Sequence, residues 1–108
     1  MTNQDINEQV ARKLGWELCP GPCNASQPRH VRSTLTHAFK DYSTSIEAAW
    51  EILDSLVSRK RFVSIEFDTD NNEWDCMLGA DKKDYEPDAR AQASTAPLAI
   101  CKAFLKLP

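Results

Sequence analysis

The sequence predicts an α+β domain with helices packed on a small antiparallel sheet, and three observations carry that prediction. An apolar stripe at helical spacing runs through YSTSIEAAWEILDSLV, residues 42–57. Directly after it, FVSIEF and EWDCML alternate with period two on either side of the polar link 68–72, the pattern of an antiparallel hairpin. A last amphipathic segment, opened by Thr95, Ala96 and Pro97, ends the chain. The order is helix, arm, helix, strand, strand, strand, helix. At 108 residues the chain is long enough for one hydrophobic core and too short for two, so residues 1–108 are read as a single domain.

The first helix is expected over residues 4–14, with Thr2 as its cap, Ile6, Val10 and Leu14 on one face, and Gly15 as its stop. Trp16 and Leu18 then alternate with Glu17 until CPGPC ends local order. Residues 19–41 read as an irregular arm holding three of the six prolines. Within it, HVRSTLTHAF sets Val31, Leu35 and Phe39 on one side, as a hairpin arm or an extended edge segment would.

In the central helix, Thr44 and Glu47 have capping-box spacing. Ile46, Ala49, Trp50, Leu53, Leu56 and Val57 form its apolar stripe, and Glu47, Glu51, Asp54 and Ser58 its solvated face. Trp50 is expected to anchor the core, so Trp50→Ala should cost about 3–5 kcal/mol.

In the hairpin, Val63, Ile65 and Phe67 share one face with Trp74, Cys76 and Leu78, while Phe62 and Met77 suggest partial cover of the other. Residues 79–87 read as a charged loop and ARAQAS as a short third strand. The final helix turns Ile100, Cys101, Ala103, Phe104 and Leu107 inward, leaving Lys102 and Lys106 as its polar strip.

Composition excludes several classes of function. A chain that is 42% hydrophobic and 27% charged is an ordinary globular one. Its net charge of -3 and pI near 5.3 argue against general attraction to nucleic acid or anionic lipid, and disfavour nucleic-acid binding through Arg29, Arg32, Arg59, Lys60 and Arg61. MTNQDINEQ lacks the features of a secretory signal and no stretch is long enough to span a membrane, so a cytoplasmic protein is expected. Four cysteines in a reducing compartment are thiols or metal ligands, and apolar neighbours mark Cys76 and Cys101 as buried small hydrophobes.

Cys19, Cys23, His30 and His37 make C-x3-C-x6-H-x6-H, four zinc-competent side chains in one irregular segment. The spacing departs from the usual finger pattern in its second half, and the run between the pairs is too short. In a strand, moreover, His30 and His37 would point to opposite faces. No metal site is assigned, and zinc held by these four is the alternative reading. Asp68, Asp70 and Asn72 imitate the start of a calcium loop, but Glu73 and Gly79 stand where glycine and a bidentate glutamate are required, and a hairpin turn accounts for them. The acids of residues 81–88 read as solvated loop, neither histidine lies in an element that would hold it near Cys76 or Cys101, and three glycines leave no phosphate-cradling loop. No catalytic residue and no cofactor is assigned, and an enzyme is not expected.

GWELCPG, YSTSIEAAWEILDSL and ASTAPLAICKAFLKL resemble the three signature stretches of the phage ABA sandwich domain family, small proteins of bacteriophages and prophages. The matching positions are Gly15 and Trp16, then Ser43 and Thr44 with Ala48, Ala49 and Trp50, then Thr95, Ala96 and Pro97 with Ala99, Ile100 and Cys101. The resemblance covers nearly the whole chain except residues 20–41. It implies an α/β/α sandwich and no activity. The expectation is a small accessory protein in the cytoplasm of a bacterial host, binding an unidentified protein partner through the proline-rich arm.

Overall fold

Cap chemistry in the sequence becomes helix ends in the structure. In the computed structural model, which describes residues 2–18, 35–36, 38–59, 61–79 and 89–107, helix α1 (Asn3–Lys13) starts at Thr2. The Thr2 hydroxyl accepts from the Asp5 amide and the Asp5 carboxylate accepts from the Thr2 amide, each at 3.1 Å. The helix stops at Gly15, whose φ of 100° is open to glycine at no steric cost. Helix α3 (Ala96–Lys106) is capped by Thr95, whose hydroxyl accepts from the Leu98 amide at 3.4 Å, with Pro97 in its first turn.

The main sheet has the order β3 (Phe62–Asp68), β4 (Glu73–Gly79), β5 (Ala89–Ala93), antiparallel throughout. Its register runs without a bulge and places Ile65 opposite Cys76 and Cys76 opposite Ala91. The β3–β4 turn closes on Asp68, whose carboxylate accepts from the amides of Asp70 and Asn71 at 3.0 and 3.3 Å, while Asn72 takes a φ of 56°. Those amide bonds hold the Asp68 carboxyl below its ordinary pKa. A hairpin turn therefore accounts for the calcium-like residues.

Side chains on one face of this sheet meet the helices. Cys76, Leu78, Ala89, Ala91 and Ala93 are buried, and Val63, Ile65 and Trp74 pack against the core from its rim. Helix α3 lies on β4 and β5, helix α2 (Ile46–Ser58) on β3 and α3, and α1 on α3. The Lys13 ammonium fastens α1 to the end of α3 by donating to the carbonyl oxygens of Phe104, at 2.7 Å, and Leu107. Three helices and a three-stranded sheet in the expected order make an α+β sandwich. On the other sheet face Phe62 and Met77 are half-buried, whereas Glu66, Arg90 and Gln92 are exposed. There the Arg90 guanidinium grips Asp75 at 2.6–3.1 Å, which is how a carboxylate comes to be buried on that face.

Two expectations need correction, and a third resolves. The cap of α2 is Ser45 rather than Thr44, because the Thr44 and Ser45 amides both turn back onto the Asp41 carbonyl and delay the helix by one residue. The inward face of α2 is Ala48, Ala49, Ile52, Leu53 and Leu56; Ile46, Trp50 and Val57 are exposed, so Trp50 is not a core anchor. Leu35 and Thr36 form β2 (Leu35–Thr36), which pairs in parallel with β1 (Glu17–Leu18), realising the extended segment rather than a hairpin arm. Phe39 follows, half-buried against the core.

Candidate functional site

At about 100° per residue, Ile46, Trp50 and Val57 lie within roughly 40° of one another on α2. Their strip borders the buried arc of Ala49 and Leu53 on one side and the solvated Glu47 and Asp54 on the other. They are 47%, 52% and 60% exposed, a grouping of large apolar side chains on one helix that folding leaves in water. Helix α2 packs on both α3 and β3, and the strip is the part of its circumference next to that buried arc which neither of them covers. On β3 itself Phe67 is 44% exposed, and its ring meets Trp74 edge-on with centroids 5.2 Å apart. The charges around this surface are segregated. Glu47, Glu51 and Asp54 lie along α2, with Lys40 paired to Glu51 at its start, and Arg59 and Arg61 stand at its end.

A concavity of about 520 Å³ opens between the start of α1 and residues 38–44. Its polar groups serve the fold. Asn7, buried, accepts from the Ser43 amide at 2.8 Å and donates to the Asp41 carboxylate at 3.4 Å, and the Ser43 hydroxyl donates to the Asn3 carbonyl at 3.3 Å. Along its rim Arg12 bonds Glu8 and lies 5.5 Å from the centroid of the Phe39 ring. This network pins the turn before α2 onto α1.

Cys76 and Cys101 are free and fully buried. Burial pushes both thiols up to about 12, with a smaller contribution from the Asp75 charge at Cys76 and from Cys76 at Cys101. Held protonated, they pack as small hydrophobes, as their neighbours in the sequence implied. Cys19, Cys23, His30 and His37, together with Arg29, Arg32 and Lys60, lie outside the described residues. Among the described residues no group of three or more His, Cys, Asp and Glu is placed to hold a metal ion, and no helix is long and apolar enough to cross a membrane.

The exposed flank of α2 was missed as a surface because its residues were assigned to the core. One signal was there to read: eight of the thirteen α2 residues are apolar, an arc wider than one buried face requires. Residues 8–105 match the phage ABA sandwich domain, and the chain belongs to that family. No curated protein and no solved structure matches it.

Proposed function

We propose that this member of the phage ABA sandwich family is a small accessory protein that acts inside the bacterial host by binding another protein, not by catalysis. One observation carries the reading: an exposed tryptophan sits between two exposed aliphatic residues on a helix that is otherwise well packed. Trp is the side chain most enriched among residues that dominate protein interfaces, because it desolvates a large area while losing little rotamer freedom. The acidic strip beside it and the basic residues at the helix end supply a polar rim. On this reading the binding surface is α2 rather than the proline-rich arm.

The test is affinity purification of the intact protein from phage-infected cells, in parallel with an Ile46→Glu/Trp50→Glu variant. The expected result is a co-purifying protein that the variant loses while its circular dichroism and melting curve stay unchanged. Retention of the same partner by a folded variant would show that binding resides elsewhere.

A further inference from the structure

The exposed strip of α2 does not stand alone, because the strand on which α2 packs has an open edge. Among the described residues β3 is paired on one side only, with β4. It is seven residues long, unbroken by a bulge, and contains neither proline nor lysine, so Glu66 and Asp68 are its only charges against edge pairing. The opposite edge, β5, has five residues, carries Arg90 and Gln92, and turns only alanines inward.

Resting on the reading of α2 as a binding face, we propose that the open edge of β3 and the exposed flank of α2 form one self-complementary interface joining two copies of this chain. A two-fold axis perpendicular to a sheet pairs edge residues of equal parity, which leaves few registers to consider. With Ile65 opposite Ile65, Val63 of one copy meets Phe67 of the second on the helix-covered face, and Ser64 meets Glu66 on the other. All large inward side chains are then matched. The same register brings Arg59 and Arg61, at the entrance to one β3, beside Asp68 and Asp70, at the exit of the other, twice per dimer. Sliding by one step in one direction sets Glu66 against Glu66. Sliding in the other sets Phe67 against Arg61. The charge and apolar patterns thus agree on a single register.

The axis also leaves the two α2 helices antiparallel on the same sheet face, on either side of the junction, and in the proposed dimer their exposed flanks turn toward each other. Ile46, Trp50 and Val57 of both copies then cover the junction. A second copy is the occupant that matches this surface on strand register, charge and symmetry together.

Sedimentation equilibrium of the full chain tests the proposal. The expected mass is twice that of the 12.2 kDa chain, falling to the chain mass for Trp50→Glu/Phe67→Lys with the far-ultraviolet spectrum unchanged. Arg61→Glu alone and Asp70→Arg alone should each weaken association, and the two together should restore it. A wild type that stays monomeric into the millimolar range would overturn the proposal, as would a dimer indifferent to both sets of variants or an assembly that grows without closing. A monomeric wild type that nevertheless loses a foreign partner on Ile46→Glu/Trp50→Glu would overturn the second-copy assignment alone and leave the binding reading of α2 standing.

Discussion

Helices α2 and α3 are built from similar proportions of apolar residues, yet α3 hides nearly all of them and α2 does not. Helix α3 lies against β4, β5, α1 and α2 at once, and only its lysine strip and a few half-buried leucines reach solvent. Helix α2 is supported on β3 and α3, and leaves Ile46, Trp50 and Val57 exposed. Apolar content therefore sets how much surface a helix could bury, while the number of neighbours sets how much it does bury. What α2 leaves over is what a partner can use.

The sharpest way to break that comparison is to truncate one large side chain on each helix. Ile100→Ala, at a fully buried position of α3, should lower stability by about 2–5 kcal/mol in urea titrations. Trp50→Ala removes a larger side chain and, at concentrations where the chain is monomeric, should cost under about 1 kcal/mol, far less than the helical spacing alone suggests. Equal losses at the two positions would erase the distinction between the helices.

Next comes the alkaline limb of stability. Cys76 and Cys101 have folded pKa values raised to about 12, above the value of an exposed thiol near 9. Their neutral forms therefore stabilise the fold fully below pH 9, and that contribution is lost as pH rises toward 12. Melting temperature should fall across this window, and Cys101→Ala should flatten the slope measured by thermal scans at successive pH values. A melting temperature independent of pH from 9 to 11 would place these thiols in contact with solvent.

Smaller still is the pin between α1 and the turn before α2. Asn7→Ala leaves the Ser43 amide without its buried acceptor and should cost about 1–3 kcal/mol. Because this bond holds the turn that leads into α2, the variant is expected also to change Trp50 fluorescence, whereas Thr2→Ala should not. Thr2→Ala removes a cap at the far end of α1 and should cost about 0.5–2 kcal/mol in the same melts.

Much of the fold was legible because much of it is local. Thr2, Gly15 and Thr95 announce helix ends through hydrogen bonds or backbone angles that lie within a few residues. Asp68 closes its turn with its own neighbours, and the alternation around Trp74, Cys76 and Leu78 is fixed by the pleat. The pairing of β1 with β2 was illegible for the opposite reason. Glu17 and Leu35 are joined by a long crossover, and nothing near either one names the other. The candidate surface was misread rather than unseen, since Ile46, Trp50 and Val57 have the right spacing for a core stripe and the wrong neighbours for one.

By itself, then, the sequence determined the element types, their order, most of their ends, and the family resemblance that residues 8–105 bear out. These depend on backbone angles, caps and periodicities that act within one or two turns of chain. Only the tertiary structure decided which part of the wide apolar arc of α2 faces inward. A helix with eight apolar positions in thirteen can be rotated through several phases at little local cost. The choice fell to contacts outside the helix, those it makes with α3 and β3. Those contacts put Ile52 in the core and Trp50 on the surface.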